Sequence, residues 1–345
     1  MSISAKELSK LLNLSEAAIS MALNNKTGVS TATRKLVIET ARKHGYDFTK
    51  LRGKNTGDIY GSICFVIYKK SGAVVTDTPF FSSLAEGISN GCKYRHYTLS
   101  ISYIYDDDNL DEQVNLLKTS GYSGIILLAT EMNMQSLSHF SEFPLPLLIL
   151  DAYFDYLQYN FVLINNKQGA FLAADYLIKK VRSQPGYLKS SYSISNFEER
   201  ADGFYKAIRK HGMSTSRSIV HRLAPSQDGA YEDMKVIINT GEELASCYFA
   251  DHDLIALGAM KAFTEAGYKI PDDISIVGFD NLPVCKHAST PLTTIDVPKQ
   301  YMGETAAKRL IQIIEGEASF PLKIELITSI KVRKSVRFQD KLHSF

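Results

Sequence analysis

The sequence predicts an α/β protein. A small all-helical head, residues 1–57, precedes a large core, residues 58–345, built as two parallel-sheet α/β lobes with a cleft between them. Three observations lead there. The chain has 345 residues, which fits two or three domains better than one. Charge is divided unevenly: residues 1–57 hold ten Lys or Arg against four Asp or Glu, a net of +6, and the remainder carries −4. Beyond residue 58, apolar strand-like runs alternate with helical patterns, the βαβ rhythm of parallel sheets covered by helices.

In the head, residues 5–12 place Ala5, Leu8, Leu11 and Leu12 at helical spacing. Asn13 and Leu14 make a turn. Ser15 then caps a second helix to about Leu23, with Glu16 in the first turn, where the helix dipole favours an acid. Ala18, Ile19, Ala22 and Leu23 form its inward face. A third helix spans about Thr31 to His44 and is closed by Gly45. Two helices joined by a tight turn and backed by a third describe a helix-turn-helix, whose second helix enters the major groove of DNA. Glu16, Ala17, Ser20, Met21 and Asn24 point outward from that helix. Glu16 suits a cytosine amino group and Ala17 a thymine methyl. Asn24, Asn25, Lys26, Ser30, Thr33 and Arg34 suit phosphates, and Ser4 and Ser15 at the helix starts complete the DNA-facing set. A basic head on an acidic body agrees with a polyanionic partner.

In the core, Gly61–Tyr68 reads as a buried strand. Residues 80–94 read as a helix, 98–104 as a strand, 109–119 as a helix and 125–129 as a strand; 147–150 is a further strand and 166–180 a helix. The alternation runs on to Ile274–Phe279. The lobes are expected at about 58–162 with 294–325, and about 163–293 with 326–345. Ligands of such sheets sit beyond the carboxyl ends of the strands. The residues that follow strands are Thr78, Phe80 and Phe81, then Asp151, then Asp251, His252 and Asp253, then Asp280. Asn196 and Arg200 stand at the start of a polar helix. Carboxylates accept from paired hydroxyls, a guanidinium donates in a fork, and aromatic rings cover an apolar sugar face. Each has a plainer reading: the phenylalanines as core, Asp253 as a helix N-cap, Asp280 as a turn cap and Arg200 as a solvated charge.

Other classes are argued against. No run of 18 apolar residues suggests a membrane helix, and Lys6, Glu7 and Lys10 break any signal-peptide pattern, so the expected location is the cytoplasm, at the nucleoid. Cys64, Cys92, Cys247 and Cys285 lack CxxC spacing and read as reduced thiols; no metal and no cofactor is expected. There is no GxSxG elbow, P-loop or HExxH, which leaves an enzyme, or a sugar-binding protein with no DNA role, as the alternatives.

The frame SxxxIS…LNN…GVSxxTRxxVxxxAxxxGY within residues 4–46 resembles the headpiece of the LacI/GalR family of bacterial regulators. The core resembles that family's sensor domain, itself similar to periplasmic sugar-binding proteins, through TPFFSSLAEGI (78–88), SGIILL (123–128), ERADGFYKAI (199–208), YFADHDLIALGAMKAF (248–263) and DISIVGFDNLPVCKHASTPLTTI (273–295). The resemblance implies a repressor of sugar-utilisation genes that binds operator DNA as a homodimer. A small molecule in the cleft, a sugar by default and a nucleoside or purine otherwise, would switch it. It also implies ligand roles for Arg200, Asp280 and the paired aromatics, and brings in Tyr231 as a pocket aromatic. Several positions depart from the family. Met21 stands where an arginine usually reads guanine, Thr78 and His252 where asparagines are usual, and Asn165 where an Asp is frequent. The hinge after Tyr46 is short and glycine-bearing, with Leu51 as its one candidate minor-groove wedge and Lys50, Arg52 and Lys54 available for phosphates.

Overall fold

A computed structural model describes residues 3–24, 28–46, 60–75, 79–107 and 109–338. The head contains α1 (Ala5–Leu12), α2 (Glu16–Leu23) and α3 (Thr31–Lys43). Ser4 caps α1 in a reciprocal box with Glu7, and Ser15 caps α2 by accepting the Ala18 N–H at 3.1 Å. Asn13, at φ 52°, turns the chain between them, and Gly45, at φ 67°, follows α3. Leu8, Ile19, Ala22, Val37 and Ala41 are fully buried where the three helices meet. One expectation fails here: Leu11 is 53% exposed. At about 100° per residue, the inward stripe of Ala5, Leu8, Ser9 and Leu12 leaves Leu11 on its flank. Spacing alone does not say on which side of Leu8 the stripe continues.

The core alternates as the pattern demands. Its first half runs β1 (Gly61–Lys69), α4 (Pro79–Tyr94), β2 (Tyr97–Tyr105), α5 (Leu110–Thr119), β3 (Gly124–Leu128), α6 (Met134–Ser138), β4 (Leu147–Leu150) and β5 (Asn160–Ile164). Then come α7 (Asn166–Val181), β6 (Gly186–Ser190), α8 (Ser195–Lys210), β7 (Val220–Leu223), α9 (Gln227–Thr240), β8 (Cys247–Ala250), α10 (Asp253–Glu265) and β9 (Ser275–Asp280). The chain ends through β10 (Thr293–Asp296), α11 (Lys299–Ile314), β11 (Lys323–Leu326) and β12 (Ser329–Lys331).

Two six-stranded sheets result. The first has the order β11-β5-β4-β3-β1-β2, all parallel; the second has β12-β10-β9-β8-β6-β7, parallel except for β12. Every residue of β3, β4 and β8 is buried, as strands covered by helices on both faces must be. The chain passes between the sheets three times, after β5, after β10 and between β11 and β12. β10 therefore hydrogen-bonds into the second sheet, although its residues from 294 were expected in the first lobe. A four-residue strand beside a crossover carries no pattern that says which sheet it joins. In the first lobe, α4 and α11 cross almost backbone to backbone: a Cβ on Gly87 would lie 2.0 Å from the Gln300 carbonyl oxygen. Among the described residues, no helix is long and apolar enough to cross a membrane.

Candidate functional site

The carboxyl ends of both sheets open onto one cleft between the lobes, where ligands of open parallel sheets sit. Phe80, Phe81, Asp151, Asn196, Arg200, His252 and Asp280 all line it, brought together from five segments of the chain.

Arg200 organises the second-lobe wall. Its side chain is 5% exposed, and its guanidinium carbon lies 3.8 Å from the centroid of the Phe279 ring. Nε donates to Asn166 Oδ1 at 3.0 Å and Nη1 to the Asp251 carbonyl. Nη2 is left facing Asp280 Oδ1, 3.6 Å away, an ion-pair distance too long for a hydrogen bond. That Asp280 oxygen is buried with no hydrogen-bond partner. Its backbone holds φ at 106°, a strained value for a side-chain-bearing residue, and its carbonyl accepts Lys299 Nζ. Burial pushes the Asp280 carboxyl up, against the pull of Arg200 and Lys299.

Asp151, from the first lobe, closes the opposite side. It is 3% exposed, sits at φ 62°, and accepts the Thr130 hydroxyl at 2.7 Å. Its carbonyl accepts Asn196 Nδ2 at 3.1 Å, a direct bond from one lobe to the other. Burial raises its carboxyl to about 6, with Thr130 and Arg200 opposing and Asp280 adding. His252, stacked on Phe197 at 5.7 Å, accepts the Leu254 N–H at Nδ1. Its proton then sits on Nε2. Burial and Arg200 hold it down at about 3, so the ring is neutral near pH 7.

His252, not Asp253, is the N-cap of α10. Asp253 instead turns inward, fully buried, accepting the Leu282 N–H at 2.8 Å and the Thr294 hydroxyl at 2.5 Å. Burial, then the Asp280 charge, lift it to about 7. Asp251 is also fully buried and faces away from the cleft; Tyr187 and the Ser190 N–H, at 2.7 Å, donate to its carboxylate. Tyr231 lies apart, its hydroxyl donating to Glu265 at 2.5 Å and its ring 4.0 Å from Lys261 Nζ. Thr78 falls outside the described residues. Sequence reasoning missed Thr130 and Phe197 in the wall, and Asn166 behind Arg200. Thr130 follows β3, so the strand-end rule applied to every strand would have reached it; Phe197 adjoins Asn196 and carried no mark of its own.

On the head, Ser4, Ser15, Glu16, Ala17, Ser20 and Ser30 are exposed, while Met21, Asn24, Thr33 and Arg34 are half-buried. Several of the polar side chains are already engaged. Ser4 binds Glu7, Ser30 accepts the Thr33 N–H at 3.1 Å, and Asn24 Nδ2 donates to the Ser20 carbonyl at 2.8 Å. Met21 packs toward Gly28. Asn25, Lys26 and Leu51, with the hinge, fall outside the described residues.

Residues 174–336 match the family model of a periplasmic binding protein-like domain. The HTH-type transcriptional repressor PurR of Mannheimia succiniciproducens is 26% identical over 336 residues, 96% of this chain and 98% of its own length. The regulator CelR solved with cellobiose superposes with a TM-score of 0.73 at 21% identity, over 96% of this chain and 99% of that one. A lac repressor dimer bound to operator and an anti-inducer does so with a TM-score of 0.68 at 22% identity, over 98% and 100%. These relatives are transcriptional regulators and not enzymes. With a three-helix head, a two-sheet core and likeness to these regulators over nearly their full length, the chain is similar to transcriptional regulators of the LacI/GalR type.

Proposed function

We propose that this protein represses a set of sugar-utilisation genes and that a neutral polyhydroxylated molecule, a sugar or sugar derivative, switches it from the interlobe cleft. The observation that carries this is the Asp280 carboxylate oxygen, buried beside Arg200 with no hydrogen-bond partner. A buried acceptor without a donor costs roughly 1–3 kcal/mol, and a ligand hydroxyl removes that cost. Arg200 Nη2, the Asp151 carboxylate and His252 Nε2 supply further complementary groups, and Phe80, Phe81 and Phe197 supply apolar faces. The cellobiose bound to CelR is of this class. A purine or nucleoside is the second reading, favoured by the PurR relative and by the flat surface of His252 stacked on Phe197.

Residues 1–57 are the DNA-binding part in this proposal, and Glu16, Ala17 and Ser20 face base edges. The second copy needed for a two-fold operator docks along β2, the first sheet's edge strand. That strand exposes Ile101, Tyr103 and Tyr105, an apolar row that a monomer would leave in water. Acting on chromosomal DNA places the protein in the cytoplasm at the nucleoid. Anisotropy titrations of promoter fragments, with and without compounds picked from a thermal-shift screen of sugars, sugar phosphates and nucleosides, test the proposal. Operator affinity should fall steeply with salt and change with one such compound, and removal of residues 1–57 should abolish it. Salt-insensitive binding, or equal affinity for every fragment, refutes the repressor reading.

A further inference from the structure

Beside the cleft, a buried acid organises a loop without entering the site. Glu131 follows β3 and is 4% exposed. Its carboxylate is wrapped by backbone donors from the segment after β1. Oε2 accepts the N–H groups of Lys70 at 2.8 Å, Ser71 at 3.1 Å and Gly72 at 3.2 Å. Oε1 accepts those of Val74 at 2.8 Å and Val75 at 2.9 Å. Five donors more than fill the roughly four lone-pair sites of one carboxylate, so some of them share a site. Gly72, at φ 67°, supplies the left-handed step that lets neighbouring N–H groups converge, the geometry of an anion-binding nest. Burial alone would push this acid up; the backbone donors outweigh it and hold the carboxyl below its usual range. The 70–75 loop thus folds around a side chain that comes from the turn after another strand, β3.

That loop leads to the effector site. Val74 lines the cleft, and the chain enters α4 at Pro79, where Phe80 and Phe81 line it again. We infer that Glu131 is a positioning residue of the effector site: its charge fixes the 70–75 loop, and through it the first-lobe lip formed by Val74, Phe80 and Phe81. This rests on the cleft being the effector site, but the loop half of the inference does not depend on which molecule binds.

The nest requires a carboxylate. In Glu131→Gln one oxygen becomes an NH₂ that confronts two or three N–H donors, leaving them without an acceptor. Glu131→Asp keeps the charge and is one methylene short. The experiment is hydrogen–deuterium exchange on the full-length wild type and both variants, followed by calorimetric titration with cellobiose, ribose and guanosine. Expected in Glu131→Gln is at least tenfold faster exchange at the 70–75 amides, with a smaller rise at the start of α4 and no change in β3 or the second sheet. Glu131→Asp should recover part of that protection. Whichever probe binds the wild type should bind Glu131→Gln at least fivefold more weakly. Unchanged exchange in the loop overturns the inference, as does a rise spread evenly over both lobes, which marks ordinary loss of stability. Wild-type affinity in a variant whose loop has opened overturns its coupling to the cleft. Failure of all three probes to bind the wild type counts against the effector reading, and loop exchange then decides the inference alone.

Discussion

Asp280→Asn separates binding from stability. The exchange is nearly isosteric, and Asp280 Oδ1 has no hydrogen-bond partner to lose. What disappears is a 3.6 Å ion pair with Arg200, both side chains largely buried. Breaking such a pair usually destabilises, by about 3–5 kcal/mol, because it strands a charge. Here Arg200 keeps Asn166 and the Asp251 carbonyl as acceptors and still feels the charges of Asp151 and Asp251. Removing Asp280 also relieves the repulsion that helps raise Asp151 and Asp253. The opposing effects leave a net change within about 1 kcal/mol, a shift of no more than about 2–4 °C in unfolding temperature. The effector loses its charged acceptor, and the variant amide can present a donor instead. That costs about 1–3 kcal/mol of binding, a five- to 150-fold rise in Kd. Calorimetric titration with the compound chosen by the thermal screen, beside thermal unfolding of the free protein, measures both. Unchanged affinity would remove Asp280 from the site. A large fall in unfolding temperature would show that the Arg200 pair is structural.

Asp253→Asn should unfold at a higher temperature than the wild type at pH 8, with the gap narrowing as pH falls below about 7 and closing only near the unfolded value of about 3.9. The folded-state value near 7 lies above the unfolded value of about 3.9, so the folded protein takes up a proton as pH falls and regains what the buried charge costs. A gap independent of pH between 6 and 8 contradicts the assignment. Leu8→Ala empties the centre of the head and should cost about 2–5 kcal/mol there, abolishing operator binding while calorimetry shows the core transition unmoved. Glu16→Ala should change which base is preferred without altering the salt dependence of binding, read by anisotropy on a panel of operator variants; a uniform change across the panel places Glu16 off the bases.

The parts of this architecture legible in the sequence are those set by local periodicity. The head helices and the strands β1, β2, β3, β4 and β9 stand within a residue or two of where their apolar spacing puts them, because burial on one face or both writes itself into neighbouring residues. Leu11 and β10 show where that stops. Whether a helix stripe leans to one flank, or a four-residue strand joins one sheet or the other, is settled by partners far along the chain. In the cleft, chemical type drew attention to Arg200, Asp280, Asp151 and His252, since charged or polar groups at strand ends need a reason to be there. Asp253 has that type too, yet it is spent on Leu282 and Thr294, partners that only the folded chain assembles. Glu131 went unmarked because its partners are backbone amides, which every sequence has.

The passage of the chain between β11 and β12 has a practical meaning. The last strand of the first sheet and the antiparallel edge of the second are supplied by the same nine residues, Lys323 to Lys331. A premature stop before them would strip both lobes at once, and no cut through the core yields a self-sufficient half. Chimaeras meant to rewire this sensor to new promoters therefore have one sensible seam, between Tyr46 and Tyr60. Recombination should exchange heads as units and keep each sensing core whole.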